Sequence, residues 1–339
     1  MPRIAIIGLG LIGGSLALAL KRAQIEGLEI AGCDAQRGVA GRARKQGAID
    51  HEARDAASAV AGAAVVVVAT PISQARSVLE AIAPALEEGA IVTDTASTKR
   101  DLLRWAAELL PERVSFVGGH PMAGKEQSGL EAADAALFEG MPWAITPSVG
   151  ATEGAIRTVE GLVSITGARP IIVDAAEHDS YVAAVSHLPL VASTALFSLA
   201  SQSQAWPDLA ILAGPGFRDV TRLASTDPSL SHDICLTNRE NLLHWLDRYM
   251  EELRRLRGLI ADAGQQEKLL KEFVRAQTER EVFLTKPPER APEDQRAETP
   301  SAREQMLSFM VGDYVVRRTK EIDRMLDERE RGLREERGR

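Results

Sequence analysis

The sequence predicts an α/β fold with a doubly wound parallel sheet, followed by an all-α C-terminal domain. Three observations carry this prediction. Short β-branched runs alternate with helical stretches over the first 174 residues, which is typical of strand–helix–strand units. The run at 63–69 is apolar on both faces, as is usual for a central strand of a parallel sheet. Beyond residue 175 the strand signals stop and helical periods dominate.

The composition is that of an ordinary globular protein and argues against several classes of function. The 339 residues suffice for two domains, with 45% hydrophobic and 26% charged residues. The net charge of −8 argues against a nucleic-acid partner, which would require a basic face. No segment holds 18 unbroken apolar residues, so no membrane span is expected. Cys33 and Cys235, without a CxxC motif, favour a reducing cytoplasm and indicate no metal site.

A glycine motif follows the first strand, Arg3 to Ile7, and precedes a helical run from Ser15 to Arg22. The motif is G-x-G-x-x-G, formed by Gly8, Gly10, Leu11, Ile12 and Gly13. The first glycine allows a tight turn, the second lets the backbone approach a pyrophosphate, and the third allows close helix–strand packing. The anion would then lie at the helix N-terminus. The pattern is the fingerprint of a Rossmann-type dinucleotide-binding domain.

The second strand, Glu29 to Asp34, ends in an acid 21 residues beyond Gly13. An acid at this place hydrogen-bonds the adenosine ribose hydroxyls and repels a 2′-phosphate. Two unit charges 4 Å apart interact by about 4 kcal/mol at an effective dielectric of 20. Asp34 therefore favours NAD over NADP. Arg37 keeps NADP open, because an arginine can accept a 2′-phosphate.

The strand–helix alternation continues to about residue 173. Thr70 and Pro71 end the strand at 63–69 and are assigned to the cofactor site. The remaining predicted strands are 91–94, 114–118, 143–146 and 171–173, and the predicted helices are 73–86, 101–110 and 152–166.

One histidine, His120, lies in a Gly-rich stretch, 118–129, directly after a predicted strand. Open α/β folds bind ligands at the carboxyl ends of their strands, so this imidazole is a candidate catalytic group. The alternative is a Gly-rich turn with an incidental histidine.

The second half is predicted to be helical. Residues 181–200 are apolar almost all round, which indicates burial in a core or between subunits, with a kink at Pro189. His187 in this helix is either a core histidine or a pocket residue. Arg218 and Arg222 share a helix face, where they form either a carboxylate site or surface salt bridges. Helices are predicted at 232–261 and 268–284, before a Pro- and Glu-rich linker at 286–301 and a charged tail.

These motifs together resemble the prephenate and arogenate (cyclohexadienyl) dehydrogenase family over roughly residues 3–265. The resemblance rests on the segments 8–15 (GLGLIGGS), 94–99 (DTASTK), 118–129, 184–189 (AVSHLP) and 216–222 (GFRDVTR). Together with the pattern along the chain, it implies two domains, an NAD-binding Rossmann domain at 1–174 and a helical substrate and dimerisation domain at 175–285, followed by a linker and charged helical tail at 286–339. It also implies NAD-dependent oxidative decarboxylation of prephenate to 4-hydroxyphenylpyruvate. The nearly all-apolar helix at 181–200 suggests a buried subunit interface and hence a homodimer.

The resemblance also implies roles for single residues. His120 and Ser97 would contact the substrate's ring hydroxyl, and Arg222 would hold a carboxylate. His187 would line the substrate pocket. Lys125, where a small hydroxyl residue is common, and Glu126 would lie near the substrate's side chain.

Other functions stay open at this point. Arogenate, or both substrates, could replace prephenate. A β-hydroxy-acid dehydrogenase of the same architecture usually uses a lysine base, for which the helical half offers no convincing candidate. A non-catalytic NAD-binding sensor is the alternative from a different class.

Overall fold

A computed structural model describes residues 3–125 and 127–285 of the chain. Its eight strands form one sheet in the order β3-β2-β1-β4-β5-β6-β7-β8. The strands are β1 Arg3–Ile7, β2 Glu29–Cys33, β3 His51–Glu52, β4 Val65–Val68, β5 Ile91–Asp94, β6 Ser115–Pro121, β7 Pro142–Pro147 and β8 Arg169–Ile172. Because β1 lies between β2 and β4, the strand order reverses there, and such a reversal leaves a ligand-binding crevice at the carboxyl ends.

The sheet is mostly parallel, which confirms the predicted fold class with one correction. β7 runs antiparallel to β6, and every other described pair is parallel. β6 also extends to Pro121, so His120 lies within a strand and pairs with Ala144, rather than in a turn. The prediction ended this strand at Gly118, since two glycines have low strand propensity.

Both faces of the sheet are covered by helices. The helices of the first region are α1 Leu11–Arg22, α2 Val39–Lys45, α3 Ala56–Val60, α4 Ile72–Ile82, α5 Arg100–Leu109 and α6 Glu153–Ile165. Alternate residues of β4 serve two separate cores. Val65 and Val67 belong to one, and Val66 and Val68 to the other. All four are buried, which explains why the run has no polar alternation.

The second region is helical, as predicted. Its helices are α7 Ala175–Val182, α8 Leu188–Ser201, α9 Trp206–Leu212, α10 Pro215–Thr221, α11 Pro228–Thr237, α12 Arg239–Ala261 and α13 Gln266–Thr285. The Asp174 carboxylate caps the start of α7 by accepting from the backbone N–H groups of Ala176 and Glu177.

Two of these helices differ from the prediction. The single helix predicted at 232–261 is interrupted at Asn238, which separates α11 from α12. The helix predicted at 181–200 is joined to α7 through a π-helical turn, Ala183–His187. Pro189 at the start of α8 has no backbone N–H to donate, so the regular helical hydrogen-bond pattern is interrupted there. Single π-helical turns of this kind recur at functional sites.

Residues 175–201 are long and apolar enough to cross a bilayer, judged by length and composition alone. The same stretch carries His178, Asp179 and His187, which are buried against polar groups of the rest of the molecule. Val185 and Leu199 on this stretch are 72% and 77% exposed. We interpret the stretch as part of a functional site with an apolar outer face, not as a membrane span.

Candidate active site

The glycine loop between β1 and α1 has the geometry of a dinucleotide cradle. Gly8 has φ +91°, and a Cβ there would lie 2.5 Å from the Ala69 carbonyl oxygen, so only glycine fits. At Gly10 a Cβ would meet nothing within 4 Å, so open space lies over the backbone where a pyrophosphate would sit. No described side chain caps α1 at Gly10, which leaves its first N–H groups available to an anion.

The end of β2 completes the nucleotide site. Asp34 accepts hydrogen bonds from the backbone N–H groups of Leu9 and Gln36, both at 2.8 Å, so its carboxylate is held beside the glycine loop. Arg37 lines the same cleft. Thr70, which lies across the crevice at the end of β4, has a buried Oγ1 with no hydrogen-bond partner among the described residues. The residues present therefore fit a dinucleotide.

A buried ion pair holds the strand end next to His120. Lys99 and Asp94 are both fully buried and paired, and Lys99 Nζ also donates to the Gly119 carbonyl oxygen at 2.6 Å. The Asp94 carboxylate in turn accepts from the Gly119 N–H at 3.0 Å. Burial lowers the pKa of Lys99 and raises that of Asp94. The pair fixes the backbone on which His120 is mounted.

His120 is the first of three residues in a hydrogen-bonded chain. Its Nδ1 lies 2.9 Å from Nε2 of His178, and Nδ1 of His178 lies 2.8 Å from Oδ1 of Asp179. Backbone N–H groups of Lys99 and Arg100 donate to the two oxygens of Asp179, at 2.8 and 2.9 Å. Both oxygens of Asp179 therefore act as hydrogen-bond acceptors.

The chain sets the proton positions on both rings. His178 must donate from Nδ1 to the carboxylate, so its Nε2 is bare when the ring is neutral. His120 then donates from Nδ1 to that bare nitrogen, which leaves Nε2 of His120 without a proton. A neutral histidine whose outer nitrogen is bare is a general base.

The electrostatics keep His120 neutral. Burial, followed by the nearby rings and the ammonium of Lys99, holds the pKa of His120 well below its ordinary value of 6.5. A proton on His187 would lower the pKa of His120 further, so the two histidines lie within electrostatic range. His187 itself is fully buried, with Nδ1 3.1 Å from the Asn238 amide nitrogen.

The other residues predicted to contact the substrate, where the structure describes them, are more exposed than His120 and His187. Ser97 is half-buried in the loop between β5 and α5, near the Lys99–Asp94 pair in sequence. Arg222 is exposed and begins a short 3-10 turn that packs against α8. Lys125 forms an ion pair with Asp134 at 3.0 Å. Glu126 lies outside the described residues.

The sequence interpretation assigned no role to His178, Asp179, Lys99 or Asn238. A His-Asp dipeptide that begins four residues after the helix cap Asp174 was the available signal for the first two. For Lys99 the signal was a lysine five residues after the aspartate that ends a buried strand. Asn238 gave no signal, because the apolar residues on both sides of it keep one continuous helical period.

A dinucleotide cradle at the switch point of a doubly wound sheet, beside a buried histidine base, defines a dehydrogenase. Comparison with known proteins gives the family. Residues 16–172 match the prephenate dehydrogenase nucleotide-binding domain, and residues 174–275 match the prephenate dehydrogenase dimerization domain. The chain belongs to the prephenate dehydrogenase family.

Individual relatives agree with this assignment. The prephenate dehydrogenase of Bacillus subtilis (strain 168) is 37% identical over 259 residues, which cover 76% of this chain and 70% of that protein. The crystal structure of A. aeolicus prephenate dehydrogenase with hydroxyphenyl propionate and NAD+ has 30% identity and a TM-score of 0.77, covering 84% of this chain and 98% of that one. The Synechocystis arogenate dehydrogenase structure has 30% identity and a TM-score of 0.71, covering 83% and 99%.

Proposed function

We propose that this chain oxidises prephenate with NAD, releases CO₂ and forms 4-hydroxyphenylpyruvate. The observation that carries the proposal is the buried His120, whose hydrogen-bond partners leave Nε2 free to accept a proton. The resemblance of the motifs to the family, and the relative that binds NAD+ and hydroxyphenyl propionate, support the choice of cofactor and of a cyclohexadienol substrate. NAD, when bound, supplies the hydride acceptor.

His120 does the proton work in this proposal. Its Nε2 accepts the ring-hydroxyl proton while the carbinol carbon gives up its hydride, so that carbon becomes a ketone. The ring carboxylate then leaves as CO₂, and its electron pair passes through the ring to the ketone oxygen. The oxygen takes the proton back from His120 as the ring becomes aromatic, which balances the reaction. Positioned general bases contribute about 10²–10⁴-fold.

The residues behind His120 support the charge that forms on it. When Nε2 is protonated, Nδ1–H still donates to His178, and Asp179 lies at the far end of the chain. An anion at this distance favours the imidazolium without itself being protonated. We assign Ser97 to the same hydroxyl, and Arg222, His187, Lys125 and Glu126 to the remainder of the substrate.

The cofactor residues follow from the cradle. Gly8, Gly10, Leu11, Ile12 and Gly13 would hold the pyrophosphate, with Thr70 and Pro71 across the crevice. Asp34 would bind the ribose hydroxyls and favour NAD over NADP.

Arogenate is the second candidate substrate, favoured by the similarity to the Synechocystis enzyme. An assay of NADH or NADPH formation at 340 nm, with each substrate tested with NAD and with NADP, distinguishes a prephenate dehydrogenase from an arogenate dehydrogenase and from a non-catalytic sensor. We expect the highest kcat/KM for prephenate with NAD. A higher value for arogenate would reassign the substrate. Tight NAD binding without turnover of either substrate would indicate a sensor.

The same proposal covers assembly and location. We assign residues 1–174 to the NAD domain, 175–285 to the substrate and dimerisation domain, and 286–339 to a linker and tail.

Exposed apolar side chains on α8 and α9, including Leu199, Ile211 and Leu212, would be covered by a second copy of the chain. We expect a homodimer in light scattering at micromolar concentration, and a monomer there would contradict it. The free thiols of Cys33 and Cys235 are compatible with the cytoplasm.

A further inference from the structure

Asn238 occupies an unusual place for an asparagine at a helix start. It lies at the junction between α11 and α12, where an asparagine side chain commonly caps the free N–H groups of its own helix. Here the side chain makes no such bond, and the residue is only 3% exposed. The amide is directed instead towards the region that holds Asp179 and His187.

The orientation of this amide is determined by its neighbours. Its nitrogen lies 2.7 Å from the backbone carbonyl oxygen of Asp179, which can only accept a hydrogen bond. Its oxygen accepts from the side-chain amide of Asn241 at 2.9 Å. The nitrogen must therefore be the NH₂ group, and its second hydrogen points to Nδ1 of His187 at 3.1 Å.

This contact decides which nitrogen of His187 carries the proton. Since Asn238 donates, Nδ1 of His187 accepts and is bare. Burial lowers the pKa of His187 to about 4, with Asp179 opposing and His178 adding to the shift, so the ring is neutral near pH 7. A neutral ring with a bare Nδ1 carries its proton on Nε2.

The resulting Nε2–H is a donor without an acceptor among the residues that the structure describes. Nε2 of His187 is buried and has no hydrogen-bond partner within the described parts of the chain. Buried donors almost always have a partner, and an exception calls for an explanation such as a ligand. His187 ends the π turn after the helix that carries His178, and its ring lies within electrostatic range of His120. The unpaired donor thus belongs to the site that contains the proposed base.

We propose that Asn238 is a positioning residue that holds His187 as an Nε2–H donor to a carboxylate oxygen of the substrate. This rests on the proposed function, because it takes the substrate to be an anionic cyclohexadienol. Asn238 does not touch the substrate and acts only by setting the ring's tautomer. His187 would then be a binding group and not a second base.

Asn238→Asp tests this, because a carboxylate in place of the amide accepts from Nδ1 and, at a pH where the ring is neutral, leaves Nε2 of His187 bare. We expect the KM for prephenate to rise by roughly tenfold or more, as a charge-assisted hydrogen bond is lost, while the KM for NAD changes less than about threefold. The matched control is Asn241→Ala, which removes a bond of the same amide without reversing its polarity and should change the prephenate KM by less than about threefold.

A double-mutant cycle distinguishes the tautomer from general damage. His187→Gln carries an amide that can donate without help from Asn238, so Asn238→Asp should cost much less in that background. An equal cost in both backgrounds, a rise confined to the KM for NAD, or an unchanged prephenate KM would overturn the proposal. If wild type makes no NADH from prephenate, the proposed function fails instead, and the same cycle read on arogenate decides the role of Asn238.

A second comparison avoids the case in which Asn238→Asp does not fold. His187→Gln and His187→Met replace the ring by side chains of similar length with and without a donor. We expect His187→Gln to keep the prephenate KM within about fivefold and His187→Met to raise it by roughly tenfold or more. Equal KM values in the two variants would contradict the proposal.

Discussion

Two buried histidines of this protein carry their protons on opposite nitrogens. Behind His120 the chain of acceptors ends in the Asp179 carboxylate, so the proton lies on Nδ1 and Nε2 is bare. Behind His187 the partner is the amide donor of Asn238, so Nδ1 is bare and Nε2 carries the proton. A histidine side chain is thereby a base at position 120 and a hydrogen-bond donor at position 187. The partner of Nδ1 determines which of the two roles each ring has.

The largest effect should come from removing the base. His120→Asn removes the bare ring nitrogen that accepts the ring-hydroxyl proton, and we expect kcat to fall at least about 100-fold while NAD still binds. The measurement is steady-state NADH formation together with an NAD titration. A loss below tenfold would remove His120 from the role of base.

Asp179→Asn should cause the next largest loss of kcat, because it removes the anion that orients His178 and stabilises positive charge on His120. We expect kcat to fall roughly 30-fold, with a smaller change in the prephenate KM. His178→Gln, which interrupts the chain one residue earlier, should give a loss of similar size. A normal kcat in both variants would show that His120 acts alone.

Arg222→Ala should act on binding and not on turnover. Hydrogen bonds to charged groups contribute roughly 1.5–3 kcal/mol, so we expect the prephenate KM to rise about tenfold or more with kcat within about threefold. Arg222→Lys is the matched control, which keeps the charge and loses the fork. An unchanged KM in Arg222→Ala would exclude this arginine from the site.

The smallest effect concerns stability against acid. The pKa of His187 is about 4 in the folded chain and has its ordinary value of 6.5 when unfolded. As the pH falls below about 6.5, the unfolded state gains a proton that the folded state does not, so stability is lost until the pH reaches about 4. Between about pH 7.5 and 5.5 wild type should therefore lose about 1 kcal/mol more than His187→Gln in denaturant titrations. Equal losses would contradict a buried neutral ring.

The nucleotide half was predictable because its signals are local. A glycine loop, the acid after β2 and the doubly apolar β4 each carry their meaning within a few residues, and the structure reproduces these elements. The antiparallel β7 was not predictable in this way, since strand direction depends on how the connecting segment crosses the sheet.

The inner partners of the histidines could not be read from the sequence. His120 and His178 are 58 positions apart, and His187 and Asn238 are 51 apart, so only the folded chain brings them together. Asn238 was assigned to the middle of one long helix because its neighbours keep the helical period. In the structure the helix is broken at Asn238, whose side chain donates to the backbone carbonyl oxygen of Asp179.

The proton positions on the two rings can be measured directly. In protein labelled with ¹⁵N at histidine, protonated and bare ring nitrogens give well-separated signals, and His120→Asn and His187→Gln assign the two rings among the six histidines of the chain. At about pH 7 we expect His120 to be protonated only on Nδ1 and His187 only on Nε2. The same tautomer on both rings, or a charged ring at either position, would contradict this account.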